Sequence, residues 1–192
     1  MTFPPENGMV TSAGGEKMQS KMLARCALFA ALMCLCAWIS IPLGSNPITL
    51  QTFALFLTLE LLGGKYGSLV CLVYLLLGGV GLPVFSGFRG GFGMLLGSTG
   101  GYLWGFLLCA LAYWLITTLL GARFHILACL AGLLLCYALG TLWFYWVYLQ
   151  AGSSLGLGFV LIKCVVPFVV PDLLKLFLAL ALAKKLKRFM AA

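Results

Sequence analysis

The last 172 residues of the chain contain only two carboxylates, Glu60 and Asp172; the other two acids, Glu6 and Glu16, precede residue 20. A water-soluble fold of this size covers its surface with charge, roughly a quarter of all residues in an ordinary domain. Here 8% are charged and 63% are apolar. Lipid is therefore the main solvent, and the chain reads as an integral membrane protein. A cytosolic enzyme, a nucleic-acid binder and a disordered chain are excluded on the same ground. The formal charge of +8 does not reverse this, because the basic residues stand singly between apolar runs or cluster at the C-terminus, as flanking charges of membrane helices do. Eight cysteines lie in or beside apolar stretches, with no C-x-x-C pair and a single histidine, so they read as small buried thiols and not as a metal site.

Six spans can be drawn: Leu23–Ile41, Leu50–Leu62, Gly67–Leu82, Tyr102–Leu120, Ile126–Leu149 and a last block, Leu155–Leu186. The last block contains Pro167 and Pro171, and the expectation is a short approach helix, a break, and a final helix from about Asp172 with Pro171 in its first turn. Residues 1–22 read as a disordered cytoplasmic tail, and 23–192 as one six-helix domain. The first apolar run lacks an A-x-A-like cleavage site and is expected to remain as a span. With six spans both termini share a side. That side collects Lys17, Lys21, Arg25, Lys65, Arg123, Lys184, Lys185, Lys187 and Arg188, nine of the twelve basic residues, and is expected to be cytoplasmic.

Ionisable groups within a bilayer are costly unless paired or wet, so they are candidates for function. Asp172 and Lys175 stand three apart, on one helix face, either as a structural ion pair or as a polar clamp in a cavity. Glu60 is expected at the interface beside Lys65, and His125 at a cytoplasmic turn. The external connection from Pro83 to Gly101 is dense in glycine yet apolar. Irregular backbone of this kind survives at membrane depth where it lines a cavity or is covered by protein, and its glycine N–H groups can hold an anion. Arg89 lies in its middle. Neither a phosphate-binding loop motif nor a nucleophile–base set is present. Gly93, Gly97, Gly101 and Gly105 recur every four residues, which also fits close helix packing. Ala27 and Ala31 form a small-residue notch on the first helix, for internal packing or for a partner helix.

Several strings together resemble one family. They are Pro47-Ile-Thr-Leu-Gln-Thr, Leu62-Gly-Gly-Lys-Tyr-Gly and Tyr74-Leu-Leu-Leu-Gly-Gly-Val-Gly-Leu-Pro-Val-Phe. Arg89-Gly-Gly-Phe-Gly, Leu96-Gly-Ser-Thr-Gly-Gly-Tyr and Pro167-Phe-Val-Val-Pro-Asp-Leu-Leu-Lys complete the set. In this order, over about residues 23–187, they resemble the BioY family, the biotin-binding S components of energy-coupling factor (ECF) vitamin transporters. Ser98-Thr99 stands where many relatives have Pro-Thr.

The resemblance implies an all-α integral membrane fold of six transmembrane helices, with a Gly-rich, partly re-entrant extracellular loop between the third and fourth. It implies a subunit in a prokaryotic plasma membrane that captures biotin from outside and delivers it inward. Delivery would need a transmembrane scaffold subunit and two cytoplasmic ATPases, which use the ATP; no cofactor is expected on this chain. The family's A-x-x-x-A motif falls on Ala27 and Ala31, implying the scaffold contact, and its polar pair falls on Asp172 and Lys175. Biotin's chemistry fits the remaining candidates. Asp172 suits the ureido N–H groups and Lys175 the ureido oxygen. Arg89, with backbone N–H groups around Gly90, Gly91, Thr99 and Gly100, suits the valerate carboxylate. Gln51, Thr52 and Tyr102 are expected to line the same site. A stand-alone transporter or channel for another solute, and a non-transporting membrane scaffold, are the alternatives; the former would be favoured by inverted repeats, and none is evident.

Overall fold

The computed structural model describes residues 10–41, 47–152 and 156–191. Helices account for nearly all of it: α1 (Val10–Trp38), α2 (Gln51–Val80), α3 (Phe92–Leu96), α4 (Gly100–Leu120), α5 (His125–Gln150), α6 (Leu157–Cys164) and α7 (Val166–Ala191). A short antiparallel pairing of β1 (Ser40–Ile41) with β2 (Ile48–Thr49) lies between α1 and α2 in the chain.

Five helical stretches are long and apolar enough to cross a membrane, yet the chain makes six crossings, because α2 turns back on itself. Gly63 breaks its helical path with φ 76° and ψ 173°. In a straight helix Gln51 and Tyr74 would lie roughly 35 Å apart. Instead the Gln51 amide reaches the Tyr74 hydroxyl at 2.5 Å, and Gly67 packs on Leu59. The arms are therefore antiparallel, and they correspond to the second and third spans drawn from the sequence. The conformation of Gly63 belongs to a region that residues with a side chain scarcely enter. A side chain there would meet nothing within 4 Å, so its cost is backbone strain alone. Gly63→Ala should therefore lower stability by about 1–3 kcal/mol. Gly93→Ala, also in open space but at a negative φ, should change it little; thermal unfolding of both variants in detergent checks the difference.

The basic turns and both terminal helix ends lie at one end of the bundle. Residues 10–22, expected to be disordered, continue α1 without interruption, while residues 1–9 lie outside the described ones. From Glu16 to Ala24 the chain carries good helix formers without glycine or proline, and extending a formed helix requires no new nucleus. The final block also differs from expectation. Its break falls at Val165 (φ −120°, ψ −55°), and α7 begins at Val166 and passes through Pro171. Pro167 takes the first-turn position that proline tolerates, so Pro171 sits one turn deeper and leaves the Pro167 carbonyl without its helical donor.

Helices α4 and α5 approach closely because glycine faces thiol in both directions. A Cβ on Gly105 would lie 2.7 Å from Cys136 Sγ, and one on Gly132 2.6 Å from Cys109 Sγ. Gly101 likewise meets Trp143 on α5. Of the four evenly spaced glycines, then, Gly101 and Gly105 serve helix packing; Gly93 faces open space and Gly97 packs on the α3 backbone. All eight cysteines are buried, as small fillers of such contacts.

Glu60 does not pair with Lys65. It is buried at the end of the bundle with the basic turns, where its carboxylate lies 2.8 Å from His125 Nδ1 and 3.5 Å from Lys187 Nζ, and accepts from Tyr113 at 3.4 Å. The helical hairpin turns Lys65 away from it, and three helices supply its partners instead. Ala27 and Ala31 are exposed on α1, whereas Cys26, Ala30, Met33 and Ala37 face the core. The alanine notch is thus on the outward face and takes no part in internal packing.

Candidate functional site

At the opposite end from Glu60, the start of α2, the 83–99 connection and α4 to α7 surround a cavity of about 800 Å³, its mouth included. Phe85, Met94, Leu103, Phe106, Leu133 and Phe168 supply apolar walls.

The polar floor is centred on Asp172, which is 3% exposed. Its Oδ1 accepts from Thr52 Oγ1 and from Lys175 Nζ, each at 2.8 Å. Its Oδ2 accepts from Tyr137 Oη at 2.6 Å. A carboxylate has about four acceptor positions. Three are filled by the protein, so one, on Oδ2, is left for a donor in the cavity. Both charges are buried, and each compensates the other; an unpaired charge here would cost several kcal/mol. Lys175 spends one of three N–H donors on Asp172 and lines the cavity with the rest of its head group.

Gln51 lines the cavity with its side chain held at both ends. Its Oε1 accepts from Thr49 Oγ1 at 2.9 Å, and its amide donates to Tyr74, whose hydroxyl donates to the Val84 carbonyl at 3.1 Å. Tyr102 reaches from α4 to Thr141 on α5 and donates to the Cys164 carbonyl, both at 3.3 Å, tying three helices along one wall. Arg89 stands exposed at the mouth. Its Nε donates to the Ser86 carbonyl at 3.2 Å, and its terminal NH₂ groups have no hydrogen-bond partner among the described residues.

The structure therefore brings Gln51, Thr52, Arg89, Thr99, Tyr102, Asp172 and Lys175 to one cavity. Gly90, Gly91 and Gly100 do not line it. The Gly91 and Gly100 N–H groups donate to the carbonyls of Gly78 and Gly97, at 2.7 and 2.9 Å, so they are already used within the fold. Gly90 and Gly100 instead permit close backbone packing: a Cβ on either would lie 2.1 Å from a carbonyl oxygen, of Leu82 and Leu95 respectively. Tyr137, which holds the second oxygen of Asp172, was not a candidate from sequence. The available signal was a tyrosine in the middle of an apolar span, because a buried phenol needs a partner.

The BioY family model matches residues 9–192. The chain belongs to the BioY family. It is 41% identical over 169 residues to a biotin transporter BioY of Thermotoga maritima, covering 88% of this chain and 96% of that one. A probable biotin transporter BioY of Pyrococcus horikoshii is 37% identical over 173 residues, 88% of this chain and 98% of the relative. Among solved structures, the S component for biotin from an ECF-type ABC transporter superposes with a TM-score of 0.76 at 27% identity, covering 90% of this chain and 93% of that one. The S component of another bacterial ECF transporter shares the fold, with a TM-score of 0.56 at 15% identity. The six-helix membrane fold is thus that of the ECF S components, and membership of a transport family means that this BioY chain is not an enzyme.

Proposed function

We propose that this chain is the biotin-binding S component of an ECF-type vitamin uptake transporter. The observation that carries the reading is the cavity's distribution of polarity. A buried Asp172–Lys175 clamp offers both an acceptor and a donor at one end, apolar side chains line the middle, and an arginine stands at the mouth. Biotin has the matching order of groups: a ureido ring with two N–H donors and one strong acceptor, an apolar thioether ring and chain, and a terminal carboxylate. Asp172 Oδ2 accepts a ureido N–H, Lys175 donates to the ureido oxygen, and Arg89 pairs with the carboxylate. Thr52 and Tyr137 hold Asp172 in place. Gln51, Thr99 and Tyr102 complete the walls.

The positive-inside bias puts the end bearing Glu60, the basic turns and both terminal helix ends in the cytoplasm and the cavity mouth outside a prokaryotic plasma membrane. Energy for inward delivery comes from partners: a membrane scaffold packed on Ala27 and Ala31, and two ATPases that use ATP. Equilibrium binding to the purified chain tests the reading. Biotin should bind saturably at one site, and Arg89→Gln should weaken free biotin more than its carboxyl-amidated analogue. The absence of saturable biotin binding would overturn the function; equal losses for the two ligands would move Arg89 away from the carboxylate.

A further inference from the structure

Trp38, the last residue of α1, lies outside the cavity lining but grips the turn that carries Arg89. Its indole Nε1 donates to the Pro83 carbonyl at 2.8 Å, and its ring stacks on Phe88 with centroids 4.9 Å apart. These contacts bracket a tight turn that supplies Phe85, Ser86 and Arg89 to the cavity. The turn is closed by the Phe85 N–H donating to the Arg89 carbonyl at 2.9 Å. From the inner side it is fixed by the Tyr74 hydroxyl on Val84.

Within this turn Phe88 has φ 56°, the one positive φ outside glycine among the described residues. A bulky side chain is strained in that region, so surrounding contacts must hold it there. Phe88 is 63% exposed, and the stack on Trp38 is the ring contact that restrains it. Arg89 comes next in the chain. If Phe88 relaxes to an extended φ, the backbone direction entering Arg89 changes and the guanidinium no longer faces the cavity.

We propose that Trp38 is a positioning residue for the ligand carboxylate: by clamping Pro83 and Phe88 it holds the turn that aims Arg89 into the cavity, without touching the ligand. The proposal rests on the pairing of Arg89 with the carboxylate. It distinguishes Trp38 from an ordinary packing residue, because its effect depends on whether the ligand carries an anion.

The test measures affinities of the purified full chain for biotin and for its carboxyl-amidated analogue. Trp38→Leu should weaken free biotin by about three- to tenfold, the size of a lost aromatic stack, and the amide by less than about twofold. Trp38→Phe, which restores a ring but not the hydrogen bond, should recover part of that loss. Trp38→Leu combined with Arg89→Gln should bind no more weakly than Arg89→Gln alone. Phe88→Leu, on an exposed loop, removes the stack from the other side and should reproduce the ligand-dependent loss even if Trp38→Leu does not fold. Equal losses for both ligands, or additive losses in the double variant, would overturn the positioning role. If Arg89→Gln itself treats the two ligands alike, the Arg89 assignment fails first, and that failure is visible in the single variant.

Discussion

Asp172→Asn is expected to lower stability, because the buried Lys175 ammonium loses its counter-charge, and to weaken biotin binding by roughly ten- to a hundredfold. The orientation of the new amide decides this. Oδ1 faces the Lys175 ammonium and the Thr52 hydroxyl, both donors, so the amide oxygen must remain there. The amide nitrogen is thereby forced into the place of Oδ2, beside Tyr137 and the cavity. Tyr137 can rotate its hydroxyl to accept. A ureido N–H cannot, and it meets a donor where it had a charged acceptor. A hydrogen bond to a charged group contributes about 1.5–3 kcal/mol, which sets the expected loss. Lys175→Met should also weaken binding, and it should lower thermal stability, since the Asp172 charge then stays buried with only two neutral donors. Combining the two changes removes both charges. The double variant should regain stability over Lys175→Met without regaining affinity. Calorimetric titration with biotin and unfolding in detergent read the two effects separately. Wild-type affinity in Asp172→Asn would make the pair purely structural.

The six crossings were legible because each apolar run is bounded by glycine, proline or a basic residue. Even the sharp reversal at Gly63 falls between two runs that the sequence already separated. The break at Val165 was less accessible. Both prolines announce an interruption, but a proline in a first turn and one inside a helix look alike until the helix start is known; here Pro167 falls in the first turn and Pro171 inside the helix. The helical start of α1 was hidden for another reason: a polar, glycine-containing segment resembles a tail unless a neighbouring helix supplies the nucleus.

In the site, the charged residues were visible and their supports were not. Asp172, Lys175 and Arg89 stand out because ionisable groups are so rare in this chain. Tyr137 is 35 positions from Asp172 in sequence, and only the fold, which brings both α5 and α7 to the cavity, sets its hydroxyl against the carboxylate. The glycines of the 83–101 connection were ambiguous in principle. A glycine can expose its N–H to an anion or let another backbone approach, and both uses leave the same letter in the sequence. Here Gly91 and Gly100 donate within the fold, while Gly90 and Gly100 admit neighbouring carbonyls. That leaves neither Gly91 nor Gly100 an N–H for an anion. Glu60 shows the same limit: Lys65 is near in sequence, but His125 and Lys187 are near in space.

Ala31→Trp is expected to abolish ATP-driven biotin uptake by the assembled transporter while the isolated chain keeps its affinity for biotin. Ala27 and Ala31 are one helical turn apart on the exposed face of α1, flanked by Leu23, Leu28 and Leu35, all more than half exposed. In lipid there is little hydrophobic force to join two helices, so association depends on close backbone approach across small residues. An indole at Ala31 projects into lipid in the isolated chain and disturbs no internal contact. Between two packed helices it holds their backbones several ångströms apart, and the contact is lost. Ala27→Trp should behave alike, whereas Leu28→Trp, which replaces one large outward side chain with another, should be tolerated better. Uptake in cells carrying scaffold and ATPases, co-purification of the subunits, and biotin binding by the chain alone separate the possibilities. Loss of binding in Ala31→Trp would place the notch in the fold of this subunit, and normal uptake with normal co-purification would move the scaffold contact to another face of the bundle.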